Sequence, residues 1–534
     1  MMIKQSKLIK AAYFSITILA VICVVWLMAG TVTGYFRASY KTFTPSVNGL
    51  TVSVIVSMIA AVLLWYIGKW FAGRFTGWFV AFISIMAIPK LILVFAFKLN
   101  PISDMYSYNA LGGSAANQDS WAWMYHVGVL DLDSIFPHVL HIANLYNVLF
   151  RISINSPKVV QVFNIACSVL TTFLILAIVT YFFNRTIGMF AALTFFFLPT
   201  WYLYTTLIGA EPAWLLALFL SMYFLIKLLA YRSLKDWHPW VTIGLIIVLL
   251  FFAQSIRPLS MVFVIGYVCF VWFRLSEQTT KENRADFWVP RIGILAVMLG
   301  FFALNQLQPR IDRFYFGVPI ADAKIGEQYT LATGTNPKTG GVYNYNMILK
   351  LEKYNHNQKL TNEQRFAGFE KVLSKQLKAN VAGIKAHGTW KHFFYDKNET
   401  LMKPDYGPVL FYSNTRKKTD QFQVMPRHMI NGLTNLVTGN QVVMLLLVII
   451  GLLAQFVAYR IDSKVNRERN GVLLSDTIMI GLTIIFLLVE VQSRYQIAFY
   501  VPWTILSGLG MGHLMPTFQV KNDSGSKNDQ HERS

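Results

Sequence analysis

The chain has 534 residues, 55% hydrophobic and 15% aromatic, with a mean hydropathy of +0.45. That excludes a soluble globular protein, so the length-per-domain expectation for soluble chains does not apply. A net charge of +21 would suggest nucleic acid in a soluble chain. Here most Lys and Arg fall in short loops between apolar runs, which is the pattern of cytoplasmic loops and not of a nucleic-acid face.

Roughly 17–25 apolar residues cross about 30 Å of hydrocarbon. On that measure the sequence predicts an all-α polytopic membrane protein with about twelve transmembrane helices, at 8–30, 50–71, 78–97, 159–183, 187–205, 212–230, 240–255, 258–273, 291–304, 442–459, 472–489 and 497–513. Lys4, Lys7 and Lys10 precede a long first run without a small-residue cleavage signal, so it reads as a retained span. Cys23, Cys167 and Cys269 lie in apolar runs and form neither a disulfide framework nor a metal-ligand spacing. Lys69/Arg74, Arg185, Lys227/Arg232/Lys235, Arg274/Lys281/Arg284 and Arg460/Lys464/Arg467/Arg469 join the N-terminal lysines on one side, the cytoplasm. Both termini are then cytoplasmic, and the polar tail over 514–534 is expected to be disordered.

Two polar stretches fall on the outer side. The first, 99–152, carries Asp104, Asp119, Asp131 and Asp133. It ends in Phe136, Val139, Leu140, Ala143, Tyr146, Leu149 and Phe150 at helical spacing, too polar and short to span, which predicts an interfacial amphipathic helix. The second, 305–440, reads as a small mixed or mostly helical exterior domain. It has a turn-rich piece at 334–341 and a helix over 361–385 with Phe366, Phe369, Val372, Leu373 and Leu377 inward. The resulting division is an N-terminal hairpin (1–77), a core (78–304) with its exterior loop at 99–158, the exterior domain (305–440), and the C-terminal spans (441–513).

Several residues could carry chemistry. Asp104 reads either as a general base for an acceptor hydroxyl or as a helix start with Ser103 as N-cap. Glu211 precedes Pro212, a good first helical residue. On the same side as Asp104, it could divide base and acceptor-binding roles with it or share a divalent cation, the one cofactor the residues leave open. Arg257 and Arg494 lie at outer span ends against the charge rule, and Lys90 lies inside a span; such cations suit a lipid phosphate, or else snorkel to the interface. His138 and His141 are three apart, a spacing compatible with metal but more common as a polar helix edge, so no metal site is assigned. Trp121, Trp123, Trp201, Tyr202 and Tyr204 read as an aromatic belt ahead of a sugar platform.

Together, Pro101-Ile-Ser-Asp104-Met-Tyr106, Phe136-Pro137-His138, Glu211-Pro212, Arg257-Pro258, Glu490-Val-Gln-Ser-Arg494-Tyr495 with Pro502, and the turn from Thr333 to Asn344 resemble the Gram-positive branch of the C-type glycosyltransferase superfamily. That superfamily includes the family 39-like protein O-mannosyltransferases and the lipid A aminoarabinose transferases. The resemblance implies a GT-C-like fold in the bacterial cell membrane. It also implies a polyprenyl-phosphate-sugar donor, a cell-envelope acceptor (glycopolymer, lipid or protein) and an exterior active site among membrane lipids. Asp104 matches the family's catalytic acid, and Glu211 is the second catalytic candidate. Lys90, Arg257 and Arg494 are the candidates to hold the phosphate, and Tyr106, Tyr108, His138 and Tyr495 join the substrate-binding set. One departure is that many relatives pair two acids where Asp104 is followed by Met105, which weakens a metal-dependent version. The rival readings are a transporter or flippase of lipid-linked sugars, and a surface polysaccharide polymerase or ligase.

Overall fold

A computed structural model describes residues 2–38, 43–130, 133, 135–274, 284–355, 359–386, 388–415, 427–457 and 463–515. Lys281, Arg460, Asp131, the tail beyond 515, and the side chains of Lys4, Lys7, Lys10, Arg284 and Lys464 lie outside what is described.

Three long apolar helices open the chain, α1 (Met2–Arg37), α2 (Val47–Ala72) and α3 (Thr76–Ala96). The first polar stretch folds as α4 (Asp104–Ala116), α5 (Trp121–His126) and α6 (Pro137–Ile152). The bundle resumes with α7 (Pro157–Phe182), α8 (Arg185–Phe197), α9 (Pro199–Tyr204), α10 (Glu211–Ala230), α11 (Trp237–Ile256), α12 (Ser260–Phe273) and α13 (Arg284–Phe316). The second polar stretch holds α14 (Ala323–Gly334), α15 (Tyr345–Asn355), α16 (Asn362–Ala386), α17 (Trp390–Met402) and α18 (Pro408–Thr415). The chain closes with α19 (Arg427–Val457), α20 (Ser463–Leu488), a 3-10 turn over Ser493–Phe499, and α21 (Tyr500–Leu514).

Among the described residues there is no strand, and nine helices are long and apolar enough to cross a membrane: α1, α2, α3, α7, α10, α11, α13, α19 and α20. The protein is an all-helical, multi-pass membrane protein. The spans expected at 187–205, 258–273 and 497–513 are helices of 13, 14 and 15 residues. Pro199 ends the first by starting α9, Pro258 holds back the start of the second, and the third gives its opening turn to the 3-10 segment. α2 presents Val52, Ile55, Ile59, Leu63, Tyr66 and Trp70 outward, an apolar face for hydrocarbon to solvate.

The polar stretches pack on one end of the bundle. α6 buries Leu140, Ile142, Ala143, Tyr146 and Phe150, much as its periodicity predicts. α16 runs over 362–386, and its five expected inward residues all belong to a cluster with Ile325, Tyr329, Met347 and Leu351 of α14 and α15. Two boundaries differ from the sequence reading. α13 continues past 304 to Phe316 because its polar residues find partners: Gln308 donates to Ser255 (3.1 Å), and Asp312 meets His141 (3.1 Å). α19 begins at Arg427, ahead of the expected 442. The first two helices do not pack on each other as the expected hairpin: α1 packs on α17, α19 and α20, and α2 on α8 and α19. Gly30 and Gly34 of α1 lie where a Cβ would strike Asn398 and Glu399 of α17. That close approach lets Asn398 donate to the Trp26 carbonyl (2.6 Å) and Arg37 pair with Glu399 (2.7 Å).

Candidate active site

Asp104 is the first residue of α4, and its approach is pinned from the second polar stretch. The Ile102 amide donates to the side chain of the fully buried Asn414 on α18 (3.1 Å), and the Asn100 amide donates to the Asn414 carbonyl. Ser103 holds the N-cap position, as expected, but its side chain makes no capping hydrogen bond. Its backbone sits at φ +52°, a conformation that costs a non-glycine residue about 1–3 kcal/mol. Its hydroxyl lies 3.2 Å from the Asp104 carboxylate instead. The anchored approach sustains that strain.

Glu211 starts α10 after an irregular linker whose carbonyls are satisfied by neighbouring side chains. Asn164 donates to Leu207 and Gly209 (both 2.9 Å), Gln161 to Thr206 (2.5 Å), and Tyr146 to Ile208 (2.6 Å). Arg257 ends α11, where Pro258 stops the helix, and Arg494 rides on the 3-10 turn after α20.

These four side chains form two ion pairs, Asp104–Arg494 and Glu211–Arg257. The pairs differ in access. Glu211 keeps 4% of its side-chain surface and has both oxygens engaged, one by Arg257 and one by the Tyr204 hydroxyl. Asp104 keeps 39%, so it is the carboxylate that an incoming group can reach. Burial pushes the Asp104 carboxyl up, but Arg494, Arg257 and His138 outweigh it and hold the group well below the usual carboxylate range. Each guanidinium retains a buried Nε–H without a hydrogen-bond partner, as does the Tyr108 hydroxyl. Unmet donors on two buried cations suit an anion.

Tyr108, His138 and Tyr495 are part of this centre. Tyr108 is buried edge-on to Tyr146, with ring centroids 6.4 Å apart. Tyr495 lies under both guanidinium groups, each 5.8 Å from its ring. His138 lies in reach of Arg257, Asp104 and Arg494; burial, then Arg257, lowers its pKa to about 3, so the ring is neutral at physiological pH. Tyr106 lies apart, 62% exposed. Lys90 is also apart and fully buried, its ammonium near Thr205 Oγ1 (3.2 Å) and Ser168 Oγ (3.4 Å) and 4.5 Å from the rings of Phe196 and Tyr202. The belt reading fails for Trp201 and Tyr204, which are fully buried, Trp201 donating to Ser168 and Tyr204 to Glu211.

Sequence reasoning missed how the second polar stretch grips the loop carrying Arg494. The Glu490 amide donates to the Thr330 carbonyl and the Val491 amide to the Gly341 carbonyl (both 3.0 Å). Lys397 of α17 donates to the carbonyls of Gly334 (2.6 Å) and Val489 (2.7 Å). A Cβ on Gly334 would run into the Val489–Glu490 backbone, so this contact requires glycine. Burial lowers the Lys397 pKa to about 7 against the opposing pull of Glu490. A neutral amine has two N–H donors, matching the two carbonyls. The unfolded chain holds that proton where the folded chain has released it, so stability should rise with pH from about 7 toward the ordinary lysine value. Thermal unfolding of Lys397→Met should lack that rise; parallel curves for both proteins would contradict it.

Among the described residues, no three His, Cys, Asp or Glu side chains are grouped to hold a metal. His141 is committed to Asp312 and Gln308, both at 3.1 Å. A cation shared by Asp104 and Glu211 would have to displace a guanidinium from each. Fold and site together define a polytopic helical membrane protein with a doubly paired acid–arginine centre at one end of its bundle. No protein-family model matches the chain, and no curated protein matches it.

Proposed function

We propose that the protein is an integral-membrane glycosyltransferase, GT-C-like, which moves a hexose from a polyprenyl-phosphate-sugar to an acceptor hydroxyl of the cell envelope. The observation that carries this reading is an accessible, ionised Asp104 beside two buried arginines whose Nε–H donors are unmet, at one end of an apolar bundle. In this scheme Arg494 and Arg257 hold the donor phosphate and stabilise the charge it gains as the anomeric carbon–oxygen bond breaks. Asp104 accepts the proton of the acceptor hydroxyl as the new glycosidic bond forms. A phosphate leaving group needs little protonation, so one working carboxylate suffices where a glycosidase needs two. Glu211 is a positioning residue that orients Arg257. Under this reading the three short helices also cross, giving twelve spans, both termini are cytoplasmic, and the site faces outward from a bacterial cell membrane.

A second reading, movement of a lipid-linked sugar across the bilayer, is favoured by Lys90 and by Asp476, both fully buried within spans. Asp476 accepts from Thr17 (2.9 Å) through one carboxylate oxygen, and its other oxygen has no hydrogen bond. The deciding measurement is transfer from radiolabelled undecaprenyl-phosphate-hexoses to envelope fractions by membranes holding wild-type or Asp104→Asn protein. Asp104-dependent transfer supports the enzyme. Translocation without transfer, indifferent to Asp104, supports the transporter. In the same assay Gly334→Ala should lose about 10²-fold by displacing the loop that aims Arg494; wild-type turnover would show that the loop tolerates the shift.

A further inference from the structure

The seam between α2 and α19 is tight only where glycine allows it. A Cβ on Gly49 would strike the Asn435 amide, and one on Gly439 would strike the Ser53 backbone. Beside these contacts lies an open groove of about 470 Å³, lined by Asn48, Val52 and Val56 of α2 and by Gly432, Asn435 and Leu436 of α19. Gly432 keeps it wide, with no atom within 4 Å of where its Cβ would stand. Val52 and Val56 belong to the exposed apolar face of α2, so the groove opens toward the bilayer. It lies near the start of the α2 span, where the Thr44 amide donates to Asn431 of α19 (3.0 Å). Asn435 gives its carbonyl oxygen to the Tyr35 hydroxyl (2.9 Å). Its NH2 and the side chains of Asn48 and Ser53 make no hydrogen bond among the described residues.

The lining is ordered by depth, with uncommitted amides toward the helix starts and Val56 and Leu436 deepest. An amphiphile at the boundary of headgroups and acyl chains fits that order. No charged side chain lines the groove, so a lipid phosphate seated there would give up water with no cation to meet it. Ester carbonyls and hydroxyls accept from amide and hydroxyl donors without that cost. We infer that the α2–α19 groove seats a neutral glycerolipid. Its ester and head hydroxyl oxygens meet Asn48, Ser53 and Asn435, and one acyl chain lies along Val56 and Leu436. The site stands whether or not the protein transfers a hexose.

The test is native mass spectrometry of the full-length protein in detergent, given equimolar monoglucosyl-diacylglycerol, phosphatidylglycerol and undecaprenyl phosphate. The neutral glycolipid should be retained in preference to the other two. Gly432→Leu fills the groove without meeting an atom at its Cβ and puts a better helix former in α19, so it should fold while retaining about tenfold less glycolipid. Gly244→Leu on α11, where a Cβ is equally unobstructed, is the control and should bind as wild type does. Ser53→Ala removes only a hydroxyl and should weaken retention about threefold, which decides the matter if Gly432→Leu unfolds early. Retention unchanged in Gly432→Leu and Ser53→Ala, or lost equally in Gly244→Leu, would overturn the site. So would preference for phosphatidylglycerol or undecaprenyl phosphate, or a dimer that Gly432→Leu separates, which would put a second copy of the chain in the groove.

Discussion

Asp104→Asn should reduce hexose transfer by about 10²–10⁴-fold, the range a positioned general base contributes, while leaving membrane insertion intact and lowering thermal stability, since Arg494, 12% exposed, loses its counter-charge. Asparagine matches the shape of aspartate and still offers an oxygen to Arg494, so no cavity opens where the Asp104 side chain, 39% exposed, stood. What it cannot do is take a proton. It also frees Arg494 of its counter-charge, so donor binding should hold or tighten while kcat falls, a split that separates a lost base from a lost binding contact. The pH dependence follows from the same pair. With its carboxyl held well below the usual range, Asp104 stays ionised as pH falls from neutral toward 5, so the Asp104-dependent rate should show no carboxylate limb in that window. Transfer by Asp104→Asn at wild-type rates would remove the base assignment.

The parts of this centre legible in the sequence were those that depend on local pattern. Periodicity located α6 and α16 because each buries one apolar stripe. Charge bias put Asp104, Glu211, Arg257 and Arg494 on one side, and there they meet. Which acid takes which arginine was not legible, since Arg494 reaches Asp104 across 390 positions and Arg257 reaches Glu211 across 46. Tyr204 looked like an interfacial aromatic because a span end is where such residues collect, but the linker before Glu211 is folded inward and carries it into the core. Lys90 read correctly as lying inside a span, yet hydroxyls and rings surround it, which no spacing rule encodes. Tyr329 stayed silent for a similar reason, and Glu490 entered only as part of a motif. Their proximity is made by a main-chain bond from Glu490 to Thr330 of α14, 160 positions away.

Arg257→Ala should be the most destabilising single change at the centre. Glu211 is 4% exposed and Arg257 8%, so removing the guanidinium strands a carboxylate away from water with only Tyr204 to serve it. Breaking a buried pair from one side costs about 3–5 kcal/mol, more than the pair itself is worth against apolar replacements. The double variant Glu211→Gln/Arg257→Met should therefore recover much of the lost thermal stability, because it removes both charges together. It should not recover transfer, because the phosphate would face one arginine in place of two. Arg494→Ala gives the contrasting result: its partner Asp104 is open enough for water to replace the guanidinium, so unfolding should shift little while donor use falls sharply. Equal losses of stability in Arg257→Ala and Arg494→Ala would contradict the division into a buried positioning pair and an accessible reactive one. If the double variant stays as unstable as Arg257→Ala, the stranded charge is not the cause, and the packing of Arg257 against Tyr495 is the contact to test next.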